Sequence, residues 1–283
     1  MRSNRTVLFT WLVLGAVFAA ACGKNLSQIL FAPSVEKRAG DSINGGLTAP
    51  TAMVPASATQ FSFAVFGDVQ VRTENKTLLT RFKQDIVPNA IEFVVVLGDL
   101  SEDGKTSQQE LSKANLAGLG IPYYATIGNH DLFQESSSGG WDGWKQTFGP
   151  ATYGVTIGGV VRFLFLDSAS GDIGATQFGW LKDQLRTPVQ YTFVGSHYPV
   201  YDGITPLMWR LESVEERYKL TDMMIQGGVY AFIAGHVHGF YSARVGSVLH
   251  FTTGSMYPYD VDYGHHGYLL FTYRQGAMDW RFV

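Results

Sequence analysis

A chain of 283 residues with 46% apolar and 16% charged side chains can build one large core and is too hydrophobic to remain disordered. Its formal charge of −3 creates no basic field, which excludes nucleic acid as a partner favoured by electrostatics. A lone cysteine, Cys22, excludes an intrachain disulfide. Arg2 and Arg5 precede an apolar run from Val7 to Ala21, and Ala19-Ala20-Ala21 lead into Cys22. That order is a charged region, an apolar region and a small-residue cleavage site, so residues 1–22 read as a signal peptide. A retained membrane span is the alternative, but the run is short for one. Residues 23–58 are rich in Ala, Ser, Gly, Asn, Thr and Pro and almost lack periodicity. They read as a flexible tether, leaving 59–283 as one domain.

Within the domain, Phe61 to Phe66 alternates and then turns continuously apolar, the pattern of a buried strand. Leu78, Leu79, Phe82 and Ile86 fall at helical spacing between Glu74 and Val87, before Pro88. Phe93 to Leu97 is a second apolar run that stops at Gly98-Asp99, and a strand buried on both faces reads this way. Thr106–Ala117 reads as a helix, Pro122–Ile127 as a strand and Gly139–Phe148 as a loop with a short helix. Gly158-Gly159 separates strands Tyr153–Ile157 and Val160–Leu166 as a hairpin turn. Thr176–Leu185 is a helix with Phe178, Leu181 and Leu185 on its buried face. Strand Tyr191–Gly195, helix Val214–Gln226 and strand Val229–Ala234 follow. The tail strands, Val248–Thr253, Tyr268–Tyr273 and Met278–Val283, are expected to be antiparallel and to close a second sheet. Alternating strands and helices imply right-handed crossovers and a mainly parallel sheet, an α/β class.

Five strand ends carry polar clusters: Gly67-Asp-Val-Gln70, Gly98-Asp-Leu-Ser-Glu-Asp-Gly104, Gly128-Asn-His-Asp131, Ser196-His-Tyr-Pro199 and Gly235-His-Val-His238. Open α/β sheets bind ligands beyond the carboxyl ends of their strands. Asp99 alone could equally be a turn or cap residue. A dinuclear centre needs roughly seven or eight protein ligands, one of them able to touch ions about 3.5–4 Å apart, which suits a carboxylate.

In this order the motifs resemble those of the calcineurin-like metallophosphoesterase superfamily, over residues 60 to 260. The resemblance implies an αββα sandwich, a four-layer arrangement of two packed mixed β-sheets flanked by helices. It implies two divalent metal ions, Mn, Fe, Zn or Mg. Asp68, Gln70 and His238 would hold the first, Asn129, His197 and His236 the second, and Asp99 both. The family usually has His where this chain has Gln70. An amide oxygen is a harder donor than imidazole, which favours Mn or Fe at that site. Glu102 stands where the purple acid phosphatase branch places a metal-bound tyrosine. Elsewhere in the superfamily an acid here orients the His of GNHD, the role implied for Glu102 toward His130. A solvated loop acid is the plain alternative, and Asp131 is a second candidate orienter. The segments Gly195–Tyr201 and Gly235–His238 are similar to those of mammalian-type acid phosphatases. Phe18 to Cys22 resembles the lipobox of bacterial lipoproteins, although Ala19 replaces its usual Leu.

The function implied is an exported phosphoesterase acting on phosphate monoesters through a metal-activated hydroxide, with His130 protonating the leaving group. Alternatives are a phosphodiesterase or pyrophosphatase on nucleotides or lipid head groups, and a catalytically silent lipoprotein that binds phosphorylated molecules. The partners expected are a small phosphorylated substrate and, if Cys22 is lipidated, a membrane, with the protein periplasmic or at the cell surface and monomeric. His250 is expected in the core or beside the site. His265 and His266 suit either the pocket rim or a surface loop. Tyr198, Tyr201 and Trp209 suit either a cleft wall or ordinary packing.

Overall fold

Strand burial is set by side-chain alternation, and Phe61, Phe63 and Val65 point to one face while Ala64 and Phe66 point to the other. Both faces are apolar, so this strand must be covered twice. The computed structural model, which describes residues 32–72, 77–133, 139–201, 209–258 and 265–283, covers it with a second sheet on one side and helices on the other. In chain order the elements are α1 (Val35–Asn44), β1 (Gln60–Phe66), α2 (Thr77–Ile86), β2 (Ile91–Leu97), α3 (Thr106–Ala117) and β3 (Tyr123–Thr126). A 3₁₀ turn (His130–Leu132), α4 (Gly140–Thr147), β4 (Tyr153–Ile157), β5 (Val161–Phe165), α5 (Gly174–Gln184) and β6 (Tyr191–Ser196) follow. The rest are α6 (Val214–Gln226), β7 (Ala231–Ala234), β8 (Tyr241–Val245), β9 (Val248–Thr252), β10 (Leu269–Arg274) and β11 (Ala277–Phe282).

The first sheet runs β11-β10-β1-β2-β3 and the second β4-β5-β6-β7-β9-β8. The strands β1, β2 and β3 are mutually parallel, as are β5, β6, β7 and β9. Both sheets are therefore mixed, and the architecture is the αββα sandwich. An aromatic core fills the space between them. Phe63 stacks on Phe93 (4.9 Å) and Phe271 (5.1 Å) and meets Phe163 and Phe193 edge-on. Such offset and edge-on pairs add to plain area burial. On the outer face of the first sheet, Leu79, Phe82 and Ile86 of α2, Leu116 of α3 and Trp141 and Trp144 of α4 form a second cluster. Phe178 and Leu181 of α5 with Leu220 and Met224 of α6 cover the second sheet.

Two expectations are corrected. Within the supposed tether, residues 32–58 are docked on the domain. Ser34 caps α1 by accepting from Lys37 N (3.3 Å), and the buried face of α1 mixes Val35 and Ala39 with Arg38 and Ser42. Arg38 is buried in an ion pair with Asp167 (2.7 Å), and Ser42 Oγ accepts from Ala151 N (3.1 Å). Two small apolar residues beside a buried arginine and serine make too thin an apolar stripe to read. Further on, Tyr124 Oη accepts from Met53 N (2.9 Å) and Glu92 accepts from Ala56 N (2.7 Å). The tail does not close one sheet either: β9 joins the second sheet parallel to β7, whereas β10 and β11 extend the first, β10 antiparallel to β1. The signal peptide, Cys22 and residues 23–31 of the tether lie outside the described residues. Among the described residues no helix is long and apolar enough to cross a membrane.

Candidate metal centre

Five parallel strands, β1, β2 and β3 of one sheet and β6 and β7 of the other, end at one place, and each ending carries one of the polar clusters. Glycines permit the crowding. A Cβ on Gly128 would lie 2.2 Å from Asp99 N, one on Gly98 2.6 Å from His197 Nδ1, and one on Gly235 2.8 Å from Asp68 Oδ2. The residues after these tight turns are forced into the left-handed region: Asp68 (φ 55°), Gln70 (43°), Asp99 (53°), His236 (69°) and His238 (54°). Each such non-glycine residue costs on the order of 1 kcal/mol or more. Only Ala90 and Gln275 share this conformation among the described non-glycine residues, so backbone strain is concentrated at the predicted ligands.

The ligand atoms gather in two groups. Those of Asp99, His197 and His236 lie within 4.8 Å of one another, as do those of Asp68, Asp99 and His238. Asp99 belongs to both. His197 Nδ1 lies 2.8 Å from Leu97 O. A carbonyl only accepts, so Nδ1 carries a proton, and in the neutral form that ligates metal His197 turns the lone pair of Nε2 inward. That atom faces Asn129 Oδ1 at 2.9 Å, His236 Nδ1 at 3.2 Å and Asp99 Oδ2 at 3.3 Å. One added proton would satisfy only one of these neighbours. A cation would satisfy all four, and cis ligands at about 2.1 Å from a metal stand about 3 Å apart. The donor set, imidazole, carboxylate and amide oxygen, suits a divalent transition metal. In the other group His238 Nε2 lies 3.2 Å from Asp68 Oδ1, while the Asp68 carboxylate accepts from His236 N at 3.0 and 3.1 Å.

The electrostatics agree. Burial pushes the Asp99 carboxyl up, but His197 and His130 beside it hold it below the usual carboxylate range. Burial disfavours the His197 cation, yet the Asp99 charge pushes its pKa up to about 9. Burial is likewise outweighed at His238 by Asp68, which raises it. His236 is lowered by burial and then by His197. An anionic centre of this kind recruits positive charge.

His130 N donates to Asp99 Oδ1 (2.9 Å), and its Nε2 lies 4.0 Å from Asp99 Oδ2. Its orientation comes from a group other than the one expected. Nδ1 bonds the backbone carbonyl of Glu102 (2.8 Å), while the Glu102 carboxylate pairs with Arg72 (2.6 Å). A main-chain contact of this kind is silent in side-chain identity. Asp131 does not orient His130 either. It accepts from Gly128 N, Leu100 N, Ser101 N and Ser101 Oγ at 2.7–3.2 Å, tying the β2 and β3 loops together. Burial and the nearby Asp99 charge push it up to about 6. Gln70 is buried at the site and donates its backbone N–H to Asp99 O (2.8 Å).

Tyr198 stacks on His236 at 3.9 Å, and Trp209 lies 5.6 Å from the same ring. Tyr201 instead meets Tyr241. His250 is buried on β9 beside Phe232, and His265 Nδ1 accepts from Phe240 N (3.0 Å). Three supporting residues went unread. Ser101 Oγ donates to Asp131 (2.7 Å), Ser255 Oγ to Asp68 O (3.1 Å), and Ser168 Oγ accepts from His197 N (3.1 Å). Their only signal is a small hydroxyl residue next to a strand end.

An αββα sandwich with such a ligand cluster at its strand ends is the architecture of the metallophosphoesterase fold. The sequence profile of the calcineurin-like phosphoesterase family matches residues 61–240, and the chain belongs to that family. It is 26% identical over 193 residues to a cAMP/cGMP dual specificity phosphodiesterase of Mycobacterium tuberculosis, a match covering 62% of this chain and 56% of that protein. Its fold is similar to that of a purple acid phosphatase from yellow lupin seeds, with a TM-score of 0.65 at 16% identity over 83% of this chain and 53% of the other. It is also similar to GAP50, the anchor in the inner membrane complex of Plasmodium, with a TM-score of 0.61 at 18% identity over 80% and 84% of the two chains.

Proposed function

We propose that this protein hydrolyses phosphate monoesters at a centre of two divalent cations, one held by Asp68, Gln70 and His238, the other by Asn129, His197 and His236, with Asp99 touching both. The observation that carries the reading is the meeting of two ligand groups on one carboxylate, Asp99. Bound there, the cations would acidify water and neutralise charge on the phosphoryl oxygens. His130 is fixed through Nδ1 by the Glu102 carbonyl, which leaves Nε2 to hand a proton to the departing alkoxide. Asp131 and the glycines hold the loops, and no covalent nucleophile is needed. Monoesters come first because the Gly195–Tyr201 and Gly235–His238 segments resemble those of acid phosphatases. Likeness to the cyclic-nucleotide phosphodiesterase favours a second reading, a phosphodiesterase on the same centre.

The test is to strip the protein with chelator, reload it with Mn, Fe, Zn or Mg, and assay mono- and bis-nitrophenyl phosphate. Turnover that returns with metal, best with Mn or Fe and greater on the monoester, supports the reading. Preference for the diester selects the second reading. A folded, metal-loaded protein inert to both overturns both. We also infer export and lipid attachment at Cys22, from Arg2, Arg5 and the apolar run before it. Cys22→Ser should move the protein from the membrane to the soluble fraction, and unchanged membrane recovery would refute this.

A further inference from the structure

We propose that Ser168 and helix α1 position the metal ligand His197: the Ser168 hydroxyl holds the backbone of His197 and Tyr198, and Arg38 of α1 holds the loop that presents this hydroxyl. The inference rests on the metal-centre reading above and extends it to residues outside the ligand set. Ser168 is fully buried in the turn after β5, beside the end of β6. Its Oγ accepts from His197 N (3.1 Å) and Tyr198 N (2.8 Å). These neighbours do different work. The His197 imidazole is the hub that faces Asn129, Asp99 and His236, and the Tyr198 ring lies against His236. One oxygen atom therefore sets the position of one ligand and of the ring packed on another.

The turn is gripped from two sides. Gln177 of α5 brackets Asp167, accepting from its N–H (2.8 Å) and donating to its carbonyl (2.7 Å). Arg38 of α1 takes the Asp167 carboxylate with a two-pronged fork, Nε to Oδ2 (2.7 Å) and Nη2 to Oδ1 (3.0 Å), and Nη2 reaches Ser170 Oγ (2.6 Å). Arg38 is 1% exposed and Asp167 fully buried. The planar fork fixes direction as well as charge, which an ammonium does not. Glu36 adds a second attachment of α1, accepting from Thr176 N at the start of α5 (3.1 Å). Helix α1 is thus joined to His197 by a continuous chain of bonds, Arg38 to the Asp167–Ser168 turn to the His197 backbone.

The experiment titrates Co²⁺ into metal-free protein and reads affinity, ions bound per chain and the visible ligand-field spectrum, with melting followed separately. Groups behind metal ligands change affinity by about 10–100-fold when removed. Ser168→Ala and Arg38→Met should each lose that much affinity at one ion and shift its visible band, and Ser168→Thr should restore both. If Arg38→Met does not fold, Arg38→Lys, which keeps the buried charge, should show the same loss. Variants that melt earlier but match the wild type in affinity and spectrum overturn the proposal and leave a purely structural role. Wild-type protein that binds a single ion defeats the two-cation reading while the variants still test Ser168. Wild-type protein that binds none overturns both.

Discussion

His130 and Asp99 are bonded to each other but are expected to fail in different ways. The His130 ring is held by a carbonyl and reaches the centre from outside the two ligand groups. His130→Ala should therefore leave metal content unchanged and slow alkyl phosphates by about 10²–10⁴-fold, with a much smaller loss on nitrophenyl phosphate, whose leaving group needs no proton. Equal losses on both esters would remove the general-acid role. A second histidine, His250, makes a prediction about stability. It is 1% exposed, and neither ring nitrogen has a hydrogen-bond partner among the described residues. Burial alone lowers its pKa to about 4. The unfolded chain takes up the proton near 6.5, so between these values unfolding binds protons. The stability that neutral His250 permits is complete above about pH 7 and drains away as pH falls through 6.5 towards 4, by about 3 kcal/mol in all. His250→Leu should flatten that part of the curve in urea denaturation at pH 7.5 and 4.5. A variant with the wild-type slope would assign the acid sensitivity elsewhere.

The loops that follow the strands show why glycine placement was legible and backbone strain was not. Each motif begins with the glycine or small residue that the crowding needs, and that pattern is visible in the residues themselves. The left-handed conformations of Asp68, Gln70, Asp99, His236 and His238 could not be read, because none is a residue type that announces them as strongly as glycine. Gly98 (φ 82°) tests the point, since its added Cβ would press on His197 Nδ1 and the Gly128 backbone. Gly98→Ala should cost about 1–3 kcal/mol and weaken metal binding. Gly120 has nearly the same φ (80°) but open space around it, so Gly120→Ala should cost about 1 kcal/mol and leave metal binding intact. Comparable metal loss in both would refute the steric account. Helices Thr106–Ala117 and Val214–Gln226 match their sequence reading residue for residue. β8 escaped it because Tyr241–Val245 is a short edge strand whose apolar face, Tyr241, Ala243 and Val245, is only half-buried. α1 escaped because only Val35 and Ala39 on its buried face are apolar, while Arg38 and Ser42 supply the rest of the docking surface.

Class and layers could be inferred from alternation, yet the allotment of tail strands to sheets could not. A strand's apolar face is satisfied equally by either neighbour, and only the assembled core decides. Because the proposed ligands come from both sheets, bound metal would tie the two halves together. Saturating metal at about a hundred times its dissociation constant should add about 2.7 kcal/mol and raise the melting temperature by about 5 °C or more. A melting curve indifferent to chelator would mean that the ions do not bridge the sheets. The pairing of Gln60 with Arg274 and of Val65 with Leu269 has a further result for a chain made from its N-terminus. The earliest strand of the domain must wait, half-zipped, for the last hairpin to be synthesised. A product clipped anywhere between His238 and Leu269 would still possess every side chain proposed to hold metal. Its opening strand would nonetheless present a naked edge, and such a fragment is expected to aggregate before it ever captures an ion.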